Sequence, residues 1–241
     1  MTSRPAEINR GRSNGDRQIV GLGGGWFPAD EARPLAEFVL GLTGKERPRV
    51  LLVPTASSEP AHVILDFYEE LRDRADVSHL SFFPWPPDDL RGLALQPDVI
   101  YVGGGNTANM LAIWRVHGFD RLLREAWEAG VILCGVSAGM ICWFEAGVTD
   151  SFGPQLDGLR DGLGFLAGSA CPHYDREERR RPVYQQLVAD GFPPGIAADD
   201  LVGLHYVGTE LVEAVSAREG SGAYRVEPGS EIPLETRYIG P

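Results

Sequence analysis

Short apolar runs alternate with amphipathic segments through the first half of the chain. The runs have the length and the Val, Ile and Leu content of buried strands, and the longer segments between them carry apolar residues at helical spacing. We predict strands at residues 18–25, 49–54, 77–83, 98–102 and 131–134, and helices at 30–42, 59–72, 108–114 and 119–129. This alternation predicts an α/β fold with a doubly wound, largely parallel sheet and helices on both of its faces.

The pattern changes after residue 145. Residues 146–171 are rich in Gly and Asp, and only 163–166 resemble a strand. A charged helix is predicted at 176–190, and it is followed by short alternating segments at 201–206, 211–215, 223–226 and 236–239. These segments predict antiparallel strands that complete the same domain. Residues 1–17 are polar and predict a disordered tail, which leaves residues 18–241 as a single α/β domain.

The stretch VILCGVSAGMICWFE at residues 131–145 is the most informative part of the sequence. It contains Gly135-Val136-Ser137-Ala138-Gly139, the G-x-S-x-G pattern of a nucleophile elbow, within the strand–turn–helix context that this motif requires. Small neighbours let the strand and the helix approach closely. The turn also places the serine at a helix N-terminus, where free N–H groups stabilise negative charge. The alternative is an ordinary strand-to-helix connection without a catalytic role.

Two glycine triplets follow predicted strands. Gly103-Gly104-Gly105 comes after the fourth strand, at the carboxyl edge of the sheet, where open α/β sheets bind ligands. Its N–H groups, together with that of Ala138, can form an oxyanion hole; the alternative is a tight turn that needs positive φ. The first triplet, at 23–25, lacks the third glycine and the later acidic residue of a dinucleotide-binding fingerprint. We expect it only to let backbone segments approach closely.

A serine nucleophile needs a base, and the base needs an acid that orients it. His173 is the candidate base, because it follows a proline in an irregular stretch without core periodicity. His205 lies in an alternating run and is expected to be structural. The same expectation applies to the remaining histidines, His62, His79 and His117. Asp150, Asp199 and Asp200 are candidate acids, and sequence order does not choose among them.

Composition and charge narrow the class of protein. The 241 residues are 43% hydrophobic and carry a formal net charge of −12. This is enough apolar material for one sizeable core, and the acidity makes the chain a poor general binder of nucleic acids or anionic membranes. The sequence has no run of 18 uncharged apolar residues and no apolar leader, and its three cysteines suit a reducing compartment. We therefore expect a cytoplasmic protein.

Together these motifs resemble the peptidase E family of serine dipeptidases, whose fold is similar to that of class I glutamine amidotransferases. The resemblance covers residues 18–215. It rests on five motifs in a matching order: Gly103-Gly104-Gly105-Asn106-Thr107, Gly135-Val136-Ser137-Ala138-Gly139, Thr149-Asp150, Pro172-His173-Tyr174 and Ala198-Asp199-Asp200. It implies a serine peptidase without metal or cofactor that removes N-terminal aspartate from Asp-X dipeptides. The expected partner is a small peptide substrate, and the expected state is a monomer or a homodimer.

The resemblance also implies the roles of individual residues. Ser137 is the nucleophile and His173 the general base. Asp150 matches the acid after the nucleophile helix and is favoured as functionally essential. Asp200 matches a late acid that is often glutamate in the family, and it is kept as a candidate orienter of His173. The oxyanion hole is assigned to the N–H groups of Gly104, Gly105 and Ala138.

Substrate recognition is expected from the second glycine motif and from a cation. Asn106 and Thr107 are expected to contact the substrate. An N-terminal aspartate needs a cation, because an unpaired buried carboxylate is costly. The family places an arginine after the catalytic histidine, and Arg180 is our choice among four arginines in that segment: Arg176, Arg179, Arg180 and Arg181. The loop before these arginines is short and the family's spacing is lost, so a broader or shifted dipeptidase specificity stays open.

Three alternatives remain open at this point. A cyanophycinase-like exopeptidase shares the fold and the triad but acts on an aspartate–arginine polymer. An α/β-hydrolase esterase would use Ser137, one of the aspartates at 199 and 200, and His205, although the short Asp-to-His interval disfavours it. A non-catalytic binding protein of the amidotransferase-like fold needs none of these roles. A glutaminase-type cysteine nucleophile is absent, because position 137 is serine and Cys134 lies in the preceding strand.

Overall fold

The computed structural model describes residues 17–25 and 30–241. Apart from Arg17, the tail predicted at residues 1–17 lies outside the described residues. The strands are β1 (Gln18–Leu22), β2 (Arg49–Val53), β3 (Asp76–His79), β4 (Val99–Val102), β5 (Ile132–Val136), β6 (Phe144–Thr149), β7 (Asp157–Leu159), β8 (Leu166–Cys171), β9 (Gly195–Ala198), β10 (Val202–Val207), β11 (Glu210–Ser216), β12 (Ala223–Glu227), β13 (Ser230–Leu234) and β14 (Thr236–Tyr238). The α-helices are α1 (Arg33–Gly41), α2 (Ala61–Leu71), α3 (Leu90–Leu95), α4 (Thr107–His117), α5 (Phe119–Glu128), α6 (Ala138–Ile141) and α7 (Arg180–Ala189).

The larger sheet has the strand order β14-β11-β10-β1-β5-β4-β2-β3. Strands β1, β5, β4, β2 and β3 are parallel, and β10 joins β1 in antiparallel register. The apolar runs of β4 and β5 are buried at every position, as expected for parallel strands that are covered on both faces. The predicted fold class, an α/β protein built on a largely parallel sheet, is confirmed.

A second sheet, in the order β13-β12-β9-β8-β6-β7, is not predicted by the sequence. The expectation that residues 146–171 are mostly irregular is therefore wrong, since β6 and β8 pair in parallel there and β7 pairs antiparallel with β6. Strand β6 is buried at five of its six positions, so it lacks the alternation that reveals a half-exposed strand. The elbow helix α6 has only four residues, because the chain enters β6 at Phe144.

Other differences concern the boundaries and pairing of elements. Helix α3 is not predicted, β3 ends at His79 and not at residue 83, and α7 begins at Arg180 and not at residue 176. The C-terminal strands are not uniformly antiparallel, because β14 runs parallel to β11. Pairing direction depends on where a strand joins the sheet, and the alternation of residues within the strand does not record it.

Apolar clusters cover both faces of the larger sheet. On one face, α1 and α2 contribute Leu35, Val39, Phe67 and Leu71 to a cluster with the strands. On the other face, the cluster includes side chains of α3, α4 and α5 and also residues of the second sheet. The two sheets therefore share a continuous hydrophobic core. The parallel strands β1, β5 and β4 lie side by side near the middle of the larger sheet, so the connections at their carboxyl ends are neighbours.

Candidate active site

Ser137 occupies a strained turn between β5 and α6. Its φ is 56° and its ψ is −111°, a conformation that non-glycine residues rarely adopt. The flanking glycines are required by close backbone contacts. A Cβ on Gly135 would lie 2.4 Å from the carbonyl oxygen of Gly139, and one on Gly139 would lie 2.3 Å from that of Val102. The G-x-S-x-G sequence thus permits a tight turn that leaves Ser137 partly exposed.

The carboxyl end of β1 joins three distant segments through backbone hydrogen bonds. The N–H of Ser137 donates to the carbonyl of Leu22 at 3.1 Å, and the N–H of His173 donates to that of Gly23 at 2.9 Å. The N–H of Leu201 donates to the carbonyl of Gly24, also at 2.9 Å. Three consecutive carbonyls of one segment therefore fix the elbow, the histidine segment and the segment that contains Asp200.

His173 and Asp200 form a short hydrogen-bonded pair. The distance between His173 Nδ1 and Asp200 Oδ1 is 2.7 Å, and the aspartate side chain is only 2% exposed. Arg176 donates from Nη1 to the other carboxylate oxygen at 3.1 Å. Burial raises the pKa of Asp200, but the hydrogen bond and charge of His173, with a further contribution from Arg176, lower it below its usual value. The aspartate is therefore ionised near neutral pH and can hold the imidazole in one orientation.

Gly24 covers this pair. A Cβ at position 24 would lie 1.9 Å from Asp200 Oδ1 and 2.6 Å from His173 Nδ1. The first glycine triplet therefore allows a close backbone approach, as the sequence indicates. The groups that it approaches are the candidate acid and base.

The second glycine triplet lies beside the serine. A Cβ on Gly104 would be 3.2 Å from Ser137 Cβ and 3.7 Å from its Oγ. Gly105 has a φ of 134°, and a Cβ there would lie 2.2 Å from the carbonyl oxygen of Ala56. Within the described residues, the N–H groups of Gly104, Gly105 and Ala138 donate to no protein acceptor. These amides are therefore available to an oxyanion, which is the property that the predicted oxyanion hole needs.

Asn106 and Thr107 hold the glycine loop in place. Asn106 caps α4, because its Oδ1 accepts from the N–H of Asn109 at 2.9 Å, and its Nδ2 donates to the carbonyl of Ser151 at 3.0 Å. The Thr107 side chain is fully buried, and its hydroxyl lies 3.4 Å from that of Thr149. Burial excludes a direct substrate contact by the Thr107 side chain, and both polar groups of Asn106 already have protein partners.

The structure separates the two candidate acids. Asp150 is exposed at the end of β6 and makes no side-chain hydrogen bond within the described part of the chain, whereas Asp200 is the acid paired with His173. Geometry therefore favours Asp200 as the orienting acid and gives no support to the preference for Asp150. Asp199, the third candidate, turns away from the histidine, since its Oδ2 accepts from the N–H of Gly222 at 2.9 Å.

Arg180 is not placed to recognise a substrate, which corrects the choice made from the sequence. Its side chain is 5% exposed, and its guanidinium contacts Glu177 and the carbonyl of Val148. Arg176, in contrast, contacts Asp200 and is 75% exposed. The sequence could not separate them, because the preceding turn sets where α7 begins and therefore which arginine faces inward.

His205 belongs to the sheet and not to this site. Its Nε2 lies 2.8 Å from Gln18 Oε1, and its Nδ1 lies 3.5 Å from Glu213 Oε1. Burial lowers the pKa of His205, although Glu213 acts in the opposite direction. The esterase arrangement with His205 as the base is therefore wrong. No group of three His, Cys, Asp or Glu side chains suited to a metal ion occurs within residues 17–25 and 30–241.

A family model identifies the kind of protein that carries this arrangement. The model of peptidase family S51 matches residues 19–214. The chain belongs to peptidase family S51. The resemblance to peptidase E is thereby confirmed, and the chain is a peptidase.

Relatives that are named as peptidases agree with membership of family S51. The chain is 47% identical over 231 residues to the "Uncharacterized peptidase YgaJ" of Bacillus subtilis strain 168, covering 93% of this chain and 100% of that protein. It is 30% identical over 166 residues to the "Uncharacterized peptidase Lin0382" of Listeria innocua, covering 64% of this chain and 76% of the relative.

Two crystal structures share the fold at low sequence identity. A peptidase from an acI-B1 Actinobacterium has a TM-score of 0.64 and 17% identity, and the match covers 92% of this chain and 96% of that one. A putative peptidase E protein from Listeria monocytogenes EGD-e has a TM-score of 0.60 and 19% identity over 81% of this chain and 96% of its own. In the part of this S51 chain that the structure describes, no helix is both long and apolar enough to cross a membrane.

Sequence reasoning missed several residues around the site of this S51 peptidase. Gly24 carries no catalytic signal by itself, although its position directly after a central strand is where ligand-binding loops occur. Asp175 accepts a hydrogen bond from the N–H of Asp200 at 2.8 Å, and Arg218 forms an ion pair with Asp175. Asp175 lies two residues after the candidate base, a proximity that gives a weak hint. Arg218 lies far along the chain in an exposed turn, and nothing in the sequence marks it.

Proposed function

We propose that this S51 peptidase is a serine exopeptidase that cleaves dipeptides or short peptides through an acyl-enzyme on Ser137. The observation that carries the proposal is the shared anchor at the end of β1. It holds the backbone of the Ser137 elbow and that of His173, whose imidazole is paired with Asp200. A strained serine, a histidine oriented by a buried carboxylate, and free backbone amides beside the serine are the parts that acyl transfer needs.

In the proposed reaction, Ser137 Oγ attacks the scissile carbonyl while His173 Nε2 takes the hydroxyl proton. Asp200 accepts from His173 Nδ1–H, which fixes the tautomer and stabilises the imidazolium that forms. Amides of Gly104, Gly105 and Ala138 donate to the oxyanion. When the tetrahedral intermediate collapses, the C–N bond breaks and His173 protonates the leaving amine. Water then attacks the acyl-enzyme and gives its proton to His173. When the second tetrahedral intermediate collapses, the ester C–O bond breaks, His173 returns that proton to Ser137 Oγ, and the acid product is released.

The first test removes the nucleophile and the base separately. Ser137→Ala and His173→Ala are each expected to lower kcat by on the order of 10⁴-fold or more, since members of a triad act as a unit. His62→Ala, which changes an exposed histidine on α2, is a matched control and is expected to keep full activity. Peptide hydrolysis is measured together with circular dichroism to verify folding. Activity of either triad variant within about tenfold of wild type contradicts the assignment.

Labelling with a fluorophosphonate separates catalysis from passive binding. The wild-type chain is expected to gain one covalent adduct at Ser137, as located by peptide mass spectrometry, whereas Ser137→Ala gains none. If the wild type stays unlabelled under conditions that label a known serine peptidase, with several reagent sizes tried, a non-catalytic binding protein of this fold becomes the better interpretation.

We further propose a preference for N-terminal aspartate, with Arg176 as the cation that meets the substrate carboxylate. Arg176 touches the candidate acid with one guanidinium nitrogen while most of its side chain remains exposed, so further N–H donors are available beside the site. Profiling a dipeptide library tests the preference. Arg176→Met is expected to raise KM for Asp-X at least about tenfold relative to Ala-X, because it removes a charge-assisted hydrogen bond.

Other outcomes of the profiling identify the alternatives. Cleavage of many dipeptides without preference for Asp-X indicates a dipeptidase of shifted specificity. Turnover of an aspartate–arginine polymer without turnover of Asp-X indicates a cyanophycinase-like peptidase. An equal loss of activity on Asp-X and Ala-X in Arg176→Met argues against carboxylate recognition by Arg176.

A further inference from the structure

We propose that Asp175 and Arg218 are positioning residues that hold Asp200 in register with His173. The proposal rests on the serine-peptidase assignment above, in which Asp200 orients the base. It concerns residues that touch neither the substrate nor the reacting atoms. Their contacts are with the backbone of the acid.

Asp200 is held at its side chain by one set of groups and at its backbone by another. The carboxylate meets His173 and Arg176, whereas the N–H donates to Asp175 Oδ1 at 2.8 Å. The Arg218 guanidinium forms an ion pair with Asp175 Oδ2, and the same nitrogen lies 3.5 Å from the carbonyl oxygen of Asp200. The ion pair between Asp175 and Arg218 therefore contacts the backbone on both sides of the Asp200 Cα.

Backbone support matters here because the next residue is strained. Leu201 has a φ of 65°, in the left-handed region that β-branched and other bulky residues avoid. Such a conformation persists only where surrounding contacts fix it. Several hydrogen bonds do so at this turn, including one from the Ala217 N–H to the Leu201 carbonyl at 2.9 Å. The Leu201 N–H donates to Gly24, and the Asp200 N–H donates to Asp175.

The contacts also couple the acid to the base. Asp175 follows His173 by two residues, so the segment that carries the His173 imidazole also binds the backbone N–H of Asp200, the residue that orients that imidazole. The resulting ring closes through the short bond between His173 Nδ1 and Asp200 Oδ1. Arg218, whose Nε also donates to Ser221 Oγ at 2.7 Å, fixes the Asp175 carboxylate within that ring. A shift of either segment therefore moves the acid and the base together.

The charged groups around Asp200 make a pH profile informative. They are His173 and Arg176 at its carboxylate, Asp175 and Arg218 at its backbone, and the buried Asp199 before it. If removal of the Arg218 cation acted only through its charge, it would favour the protonated imidazole of His173. The acid limb, the low-pH side of the profile where reactivity is lost, would then move to higher pH. Displacement of Asp200 removes the anion that stabilises the imidazolium, which moves that limb to lower pH. The two effects have opposite signs.

The experiment measures the second-order rate of Ser137 labelling by a fluorophosphonate as a function of pH in Arg218→Met. We expect the plateau to fall on the order of 10- to 100-fold, as for other misplacements of catalytic groups by about 1 Å, and the acid limb to move to lower pH. The proposal is overturned if the plateau falls while the acid limb stays in place or moves to higher pH. It is also overturned if the plateau stays within about threefold of wild type.

Three further variants keep the outcome interpretable if Arg218→Met folds poorly. Asp175→Asn retains an oxygen that can accept from the Asp200 N–H and is expected to label much faster than Asp175→Ala, which has none. Arg237→Met removes a comparably exposed ion pair, with Glu213, at the sheet edge and is expected to match wild type. Equal rates in Asp175→Asn and Asp175→Ala contradict the proposal.

Failure of the inference is distinguishable from failure of the serine-peptidase assignment. If Ser137→Ala still hydrolyses peptides, or if the wild type is labelled at a residue other than Ser137, the assignment itself is wrong. If Ser137→Ala and His173→Ala are inactive while the Arg218 and Asp175 variants behave as wild type, only the positioning role is wrong.

Discussion

At the scale of single residues, Asp200 shows how a buried carboxylate is kept charged. Its side chain is 2% exposed, which by itself favours the protonated acid, yet the contacts with His173 and Arg176 reverse that preference. Asp199, the preceding residue, has the opposite balance, because burial raises its pKa and its Oδ1 has no hydrogen-bond partner within the described residues. The two adjacent aspartates thus differ because Asp200 has hydrogen-bonded cationic partners, whereas Asp199 accepts only from the Gly222 N–H and the Tyr224 hydroxyl within the described residues.

The lowered pKa of Asp200 predicts a pH-dependent contribution to stability. A carboxylate whose pKa is lower in the folded chain stabilises the fold fully above its unfolded pKa of about 3.9, and this contribution is lost as pH falls through the folded value. Asp200→Asn resembles the protonated acid, so it is expected to be less stable than wild type at neutral pH. The difference is expected to shrink as the pH falls below the unfolded pKa.

Urea unfolding of both chains from neutral to strongly acidic pH measures this difference. Asp150→Asn, which changes an exposed aspartate without a side-chain partner among the described residues, serves as the control and is expected to show no such trend. A stability difference between wild type and Asp200→Asn that stays constant or grows on acidification contradicts the lowered pKa.

At the scale of elements, the site depends on short connections at the ends of parallel strands. The sequence shows the nucleophile elbow and both glycine triplets, because glycine is required where backbones meet. It also predicts the parallel strands, whose apolar runs are buried on both faces. It does not show which acid pairs with His173, since Asp150 and Asp200 both follow plausible strand ends. That choice depends on how the segment after β9 turns toward β1, and this turn is held by contacts such as Asp175 to Asp200 that leave no periodic signal.

The end of β1 provides a test at this scale. Gly24→Ala is expected to lower kcat/KM at least about 100-fold, because its Cβ would displace the His173–Asp200 pair. Gly21→Ala, three residues earlier and within β1, is the matched control, since the three atoms nearest to its Cβ all belong to the flexible Met140 side chain, with Cγ closest at 3.1 Å. Peptide hydrolysis and thermal unfolding are measured for both. Comparable activity in the two variants would mean that Gly24 does not determine the geometry of the pair.

At the scale of the whole molecule, the two sheets are parts of one packed unit. The cluster on one face of the larger sheet contains Ile100 and Leu133 together with Leu166 and Ile196 of the second sheet. The sequence predicts a single domain spanning residues 18–241 but not the second sheet within it, because the strands that form it are short or lack alternation. The prediction of a single domain is therefore best examined through cooperativity.

We expect one unfolding transition in urea. Far-UV circular dichroism reports on both sheets. Three of the five tryptophans that contribute to the fluorescence, Trp114, Trp127 and Trp143, lie in the shared core. Coincident midpoints by the two probes are expected for a cooperative unit. Two separated transitions, or a fluorescence change that precedes the loss of ellipticity, would show that the second sheet unfolds independently.

The three carbonyls at the end of β1 have a consequence for biosynthesis. They belong to residues 22–24, near the start of the chain, whereas the N–H groups that they bind belong to Ser137, His173 and Leu201. The last of these N–H groups is therefore translated after most of the protein. A nascent chain that has not yet reached Asp200 lacks both the acid and β10, the antiparallel partner of β1. On the proposed assignment, the emerging peptidase is therefore inert toward neighbouring polypeptides until its synthesis is nearly finished.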